Sequence, residues 1–440
     1  MTGTGCCLNT GRRLFHGASR YQMESETEVK SMNKYYNAAE LKKELDGYVL
    51  GQEQGTRCVA MAVSSHLLRI REHRKDENSC IRKDNMLVEG PSGSGKTETF
   101  RVLKRLEDAM GIPVIMCNTM DYAPNDSWKG TPLTSVLEEL FRESCRLYGR
   151  LHKHMPQNLE EHEELCRMAS CGIVLMDEFD KIRIRNDNTS GFSRDYQASL
   201  LKMVEGADYD LGAVMVNMSG DVNEEDGCGF PISINTSEVM FIFLGAFEGL
   251  GDITRKRILK EKTGKDGKEA RQDVGMNRIG FMARTEPEPK ADILLDVDLT
   301  PSLEDIIEYG IIRELAGRIA MRTVYHSLSV HDLVKILKES RTSAFRDYQA
   351  RFCAMGHRLV CDDLGFREIA RIASERKTGA RGLYSILSEL LMPSMYELSG
   401  QKEPMECLLR GTDIKKGKFP RIRKMNAKRL SDGTFQGVLD

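Results

Sequence analysis

The run Gly90-Pro-Ser-Gly-Ser-Gly-Lys96-Thr97 constrains this 440-residue chain more than any other stretch. It fits the spacing G-x-x-x-x-G-K-[ST]. Before it stands a short apolar run, Asn85-Met-Leu-Val88, which reads as a buried strand. After it, Lys96 to Met110 reads as a helix. Glycines in such a turn let backbone N–H groups converge on phosphate oxygens, and the helix N-terminus adds a partial positive charge. Lys96 is then placed for the terminal phosphates and Thr97 for a Mg²⁺ ion. Gly90, Pro91, Ser92, Gly93, Ser94, Gly95 and Glu98 make up the rest of the cradle. The bland alternative is a Gly-rich turn with a chance lysine, and the flanking strand and helix argue against it.

A second run completes the chemistry. Ile173-Val-Leu-Met-Asp177-Glu178 places two carboxylates at the end of four apolar residues. A buried strand of this kind delivers them to its C-terminal end, where ligands bind in open α/β sheets. Asp177 suits Mg²⁺, and Glu178 suits polarisation of an attacking water. Together the two runs point to a P-loop NTPase that hydrolyses its nucleotide.

Further strands at Ile112–Cys117 and Val239–Leu244 alternate with helices at Gln52–Arg74 and Pro132–Arg150. That order implies an α/β fold, a parallel sheet sandwiched by helices. Beyond about residue 326 the pattern turns mostly helical, as for a smaller C-terminal domain. The expected division is a flexible N-terminal tail over 1–34, a large ATP-binding domain over 35–326, and a small domain with a basic tail over 327–440. Met23 and Met32 stand as alternative starts within or just after the tail. Gly251 to Arg278, dense in both charge signs, reads as a solvated loop. The basic run Lys415 to Arg429 reads as a solvated tail.

Composition narrows the class. Lysine and arginine number 64 against 66 aspartates and glutamates, for a formal charge of −2. That balance gives no global push toward nucleic acid or anionic lipid. The longest apolar run, Val239 to Phe247, falls far short of the ~20 residues that span a bilayer. No apolar stretch follows Arg12 and Arg13, so no signal peptide is legible. Twelve cysteines contain no C-x-x-C pair, against a zinc ribbon or thioredoxin-type site. Scattered thiols suit a reducing cytoplasm. His66 reads as a packed helix residue. His162 and Cys166 share the i,i+4 spacing of a metal pair, but a solvated helix is the preferred reading.

Several motifs in order resemble the AAA+ protein unfoldases of the ClpX family, over about residues 41 to 400. Asp46-Gly-Tyr-Val-Leu50-Gly-Gln-Glu53 resembles the family's adenine-side segment, which implies Tyr48, Val49 and Leu50 near the base. Asp177-Glu-Phe-Asp-Lys-Ile182 resembles its extended Walker B. Leu200-Leu-Lys-Met-Val-Glu205-Gly206 and Phe243-Leu-Gly-Ala-Phe-Glu-Gly249 resemble further signatures. Arg313-Glu-Leu-Ala-Gly-Arg318 resembles the segment with the trans-acting arginine finger, implying that role for Arg318. Lys377-Thr-Gly-Ala-Arg381-Gly-Leu383 resembles the sensor-2 helix start, implying a γ-phosphate contact for Arg381. No sensor-1 residue is legible at the end of Val239–Leu244.

The resemblance implies ATP and Mg²⁺ as cofactors, a homo-hexamer, unfolded or tagged proteins as substrates and a ClpP-like peptidase as partner. Ser127-Trp128-Lys129-Gly130 stands where the family has its aromatic pore loop, with Lys129 in place of an apolar neighbour. Ile279-Gly280-Phe281 stands where the family has its peptidase-docking tripeptide. Two departures stand beside these. The family's N-terminal four-cysteine zinc module has no legible counterpart. The pore-entrance loop, basic in the family, reads here as the acidic Gly220-Asp-Val-Asn-Glu224-Glu225-Asp226-Gly. Two other readings stay open: a remodelling chaperone that needs no peptidase, and a nucleic-acid-associated AAA+ ATPase.

Overall fold

The computed structural model describes residues 37–76, 79–123, 131–185, 190–213, 215–216, 222–223, 231–266, 300–425, 428–429 and 435–436. Five strands build one parallel sheet: β1 (Asn85–Glu89), β2 (Val114–Asn118), β3 (Ile173–Asp177), β4 (Met240–Gly245) and β5 (Ile319–Val324). Their order across the sheet is β5-β1-β4-β3-β2. Successive side chains of a strand point to opposite faces. Leu87, Val174, Met176, Phe241 and Phe243 enter one core. Their neighbours Met86, Val88, Ile173, Leu175, Ile242 and Leu244 enter another. Both faces are therefore apolar, as a parallel sheet covered by helices requires.

Helices α1 (Ala38–Asp46), α2 (Glu53–Lys75) and α3 (Lys96–Arg105) contribute to the second core. Helices α4 (Ser135–His152), α5 (Leu159–Ser170) and α6 (Ser190–Glu205) contribute to the first. His66 is buried on α2, as its helical spacing suggests, with its ring nitrogen 3.0 Å from the Cys171 carbonyl. Burial drives its pKa down to about 4, so the ring is neutral.

Four expectations need correction. The helix from Lys96 breaks at Leu106, and Glu107–Met110 forms a separate turn. The charged stretch after Gly251 is helical at its start, as α7 (Leu250–Asp266). Its charges lie on a helix that keeps Leu250 and Thr254 buried. His162 is not on a solvated face: it is buried, its Nε2 donating to the Pro231 carbonyl at 3.0 Å and lying 3.6 Å from Cys166 Sγ. The basic run near the C-terminus contains a strand, Arg421–Lys424, paired antiparallel with Met405–Leu409. The strand's three cations, Arg421, Arg423 and Lys424, pair with Asp413, Glu406 and Glu403.

Short helix α8 (Leu303–Tyr309) opens on a capping box between Ser302 and Asp305. Past β5 the chain forms α9 (Val330–Glu339), α10 (Ala344–Ala354), α11 (Asp363–Glu375) and α12 (Gly379–Leu398). These pack with a three-stranded sheet around a third core containing Leu333, Phe352, Ile369 and Leu387. Among the described residues, no helix is long and apolar enough to cross a membrane.

Candidate functional site

The phosphate loop joins β1 to α3. Gly93 and Gly95 have φ of +77° and +101°, the left-handed region that only glycine enters at little cost. Lys96 opens α3 and is 8% exposed. Its Nζ donates to the carbonyls of Gly90 and Pro91. Burial lowers the Lys96 pKa to about 8, while Asp177 and Asp180 act to raise it. Gln52 braces the loop from below: its Nε2 donates to the carbonyls of Ser94 at 3.1 Å and His326 at 2.7 Å. Its Oε1 accepts from the His326 N–H at 2.9 Å.

A cavity of about 680 Å³ opens over this loop. Tyr48, Val49, Leu50, Ser92 to Glu98, Asp177, Glu178 and Arg381 all line it. The phosphate-loop, adenine-side, Walker B and sensor-2 expectations therefore meet in one space. Thr97 Oγ1 donates to Asp177 Oδ2 at 3.5 Å, putting two hard oxygen donors side by side. Asp177 Oδ1 accepts the Glu178 N–H at 2.8 Å. Glu178 has φ of +57°, a backbone conformation uncommon for a residue with a side chain and frequent at functional sites.

Asn118 was not singled out from the sequence. It ends β2, pairs with Asp177 in the ladder, and its Nδ2 donates to Glu178 Oε2 at 3.3 Å. The available signal was a polar residue directly after an apolar strand, as at Asp177. Asp180 and Glu248 also line the cavity, and Glu248 lies just past β4, where no sensor residue was legible.

The C-terminal region closes on the loop through two segments. Arg381 Nη1 donates to Ser92 Oγ at 3.4 Å, and the Ala380 N–H to the Gly93 carbonyl at 3.0 Å. The second segment is Ser340-Arg341-Thr342. Ser340 Oγ donates to the Tyr48 carbonyl at 3.0 Å, and the Arg341 N–H to the Gly47 carbonyl at 3.0 Å. Arg341 Nη1 bonds Glu44 at 3.0 Å, and Thr342 Oγ1 donates to Glu98 at 3.1 Å. The guanidinium groups of Arg105 and Arg341 lie 4.9 and 5.3 Å from the Tyr48 ring centre. Tyr48 thus joins α3 to the segment after α9 as well as lining the cavity.

Arg318 does not reach its own chain's cavity. Its side chain is 55% exposed and bonds Glu205 at 2.7 Å. Trp128, Lys129, Ile279, Gly280 and Phe281 lie outside the described residues, as do the side chains of the acidic 220–227 stretch.

Residues 86–227 match the family described as ATPase family associated with various cellular activities (AAA). The ATP-dependent Clp protease ATP-binding subunit ClpX of Treponema denticola is 30% identical over 376 residues, covering 83% of this chain and 78% of that protein. The protein of the same name from Azotobacter vinelandii is 30% identical over 380 residues, 84% of this chain and 76% of its own length. The Borrelia duttonii ClpX is 28% identical over 397 residues, 89% and 81% of the two chains.

Proposed function

Because the chain belongs to the ClpX family of AAA+ ATPases, we propose that its ATP hydrolysis drives the unfolding and threading of proteins through a homo-hexameric ring, into a ClpP-like peptidase. The observation that carries this reading is the convergence of the phosphate loop, Asp177, Glu178 and Arg381 on one cavity. The triphosphate lies along the loop N–H groups and the start of α3. Tyr48, Val49 and Leu50 take the base side. Thr97 and Asp177 fit a Mg²⁺ ion, because a hydroxyl and a carboxylate already lie side by side there. That ion, when bound, neutralises charge on the phosphates.

Glu178 accepts a hydrogen bond from the attacking water and orients it, and Asn118 holds the Glu178 carboxylate in place. Arg381 brings positive charge to the phosphates from the C-terminal region. Arg318, exposed and away from its own cavity, acts on a neighbour's nucleotide. The exposure of Arg318 and the family resemblance support that assignment.

Trp128 grips the moving polypeptide, with Lys129 beside it, and Ile279-Gly280-Phe281 docks the peptidase. Both assignments rest on the position of those motifs in the sequence. The acidic 220–227 stretch disfavours tags that end in a free carboxylate, since like charges repel. The cytoplasm is the compartment that suits the scattered thiols.

The test is ATPase and degradation assays on a panel of unfolded and tagged proteins, with and without a ClpP-type peptidase. Glu178→Gln should bind ATP and lose turnover by at least a hundredfold, the scale of a general-base contribution. Phe281→Ala should lose degradation and keep unfolding. Unfolding with no degradation under any condition would favour a remodeller that works without a peptidase. Stimulation by DNA and not by unfolded protein would sink the unfoldase reading.

A further inference from the structure

One carboxyl at the foot of the phosphate loop, outside the cavity lining itself, has no part in these roles. Glu89 ends β1 directly before Gly90, where Met86-Leu-Val88 gives way to an acid. It is only 7% exposed, and its Oε2 has no hydrogen-bond partner. The carboxyl faces the first turn of α7: a Cβ on Gly251 would lie 3.8 Å from Oε1. One turn further along α7, Thr254 is fully buried.

Two charged groups act on this carboxyl, and a third holds one of them. Lys96 comes from α3 and Asp305 from α8, and Arg257 of α7 bonds both oxygens of Asp305 at 3.0 and 3.1 Å. Burial raises the Glu89 pKa to about 7, with Lys96 opposing and Asp305 reinforcing that shift. A bare, buried carboxylate oxygen is costly, and protonation relieves it.

Lys96 is meanwhile held on the carbonyls of Gly90 and Pro91, the residues that follow Glu89. An ionised Glu89 attracts that ammonium and repels an incoming phosphate. A neutral acid does neither. We propose that Glu89 is a positioning residue of the ATPase site, whose buried carboxyl draws Lys96 back onto the loop carbonyls and releases it to phosphate by taking up a proton. This rests on the assignment of Lys96 to the phosphates made above.

The sign follows from linkage. Phosphate near Glu89 favours its protonated form, so nucleotide binding takes up a proton. Affinity then falls as pH rises through the pKa of the free site. For a group titrating at about 7 and fully protonated in the complex, the fall between about pH 6 and about pH 8 is up to roughly tenfold.

The experiment is calorimetric titration of the full chain with a Mg²⁺-bound, non-hydrolysable ATP analogue. It is run at both pH values and in two buffers of different ionisation enthalpy, which counts the protons taken up. Wild type should take up more protons than Glu89→Gln, and the ratio of their dissociation constants should change with pH. Using the ratio cancels the titration of the ligand. Glu89→Asp, which keeps an ionisable group, should restore the extra uptake. Equal proton counts and parallel pH profiles in wild type and Glu89→Gln overturn the proposal. Should Glu89→Gln fail to fold, a Glu89→Asp profile superimposed on wild type with no proton uptake in either overturns it. A wild type that gives no binding heat overturns the phosphate-site reading itself.

Discussion

Gly93 shows how much of this site depends on a single missing side chain. Its φ of +77° places it in the left-handed region, and a methyl group there would lie 2.5 Å from the Thr378 carbonyl. The left-handed backbone alone costs alanine about 1 kcal/mol. The contact adds more, because the opposing atom is backbone and cannot swing aside. Relief requires moving either the phosphate loop or the turn that carries Arg381. Gly93→Ala should therefore keep the fold and lose ATP affinity by at least about tenfold, or ~1.4 kcal/mol. Nucleotide titration beside a thermal melt would check this, and undiminished affinity would show that the loop and the turn need not touch. Glu178 makes the opposite case. It keeps its side chain at a φ of +57°, and that carboxylate is met by Asn118.

At the scale of elements, the segment Ser340-Arg341-Thr342 joins the end of α9 to α1, to Tyr48 and to the first turn of α3. Its backbone and side chains give four hydrogen bonds, and Arg341 also lies over the Tyr48 ring. Arg341→Ala removes the bond to Glu44 and the ring contact together, so ATP affinity should fall several-fold while the phosphate loop stays intact. Arg341→Lys should not restore it, because the ammonium lacks the planar guanidinium that stacks on a ring. A fluorescence titration of nucleotide would decide, and equal affinity in wild type and Arg341→Ala would refute the role. None of this segment was legible beforehand, since Ser340 and Tyr48 lie 292 positions apart and no local pattern marks the pair. Elements whose signal is local were read well: β1 and β3 announce themselves by continuous apolar runs that end in chemistry. β5 was missed because Ile319-Ala-Met-Arg-Thr-Val324 is an edge strand with an exposed alanine and a half-buried arginine. α7 and the Arg421–Lys424 strand were misread for one shared reason. Charge density suggests solvent, whereas Arg257 of α7 pairs with Asp305, and Arg421 and Arg423 of the strand pair with Asp413 and Glu406.

For the whole molecule, the question is whether one chain is a complete enzyme. Lys96, Thr97, Asp177, Glu178 and Arg381 share one cavity, but Arg318 is tied to Glu205 on an exposed surface. An arginine aimed at the transferring phosphoryl group is worth roughly 10³–10⁵ in rate, so its source decides whether a monomer can turn over. If Arg318 serves a neighbour, contacts must run head to tail, and such contacts make a ring when the rotation between subunits closes. Two inactive variants can then repair one another. Arg318→Ala keeps Glu178 in its own cavity and lacks only the arginine it would offer to the next chain. Glu178→Gln has no working cavity but still presents Arg318. Each alone should lose nearly all ATPase activity. Mixed in equal amounts and allowed to exchange subunits, they should recover up to roughly a quarter of wild-type turnover, the share of head-to-tail junctions that pair a good cavity with a good arginine. An arginine acting within its own chain predicts no recovery at any mixing ratio, because every cavity would still lack either Glu178 or Arg318.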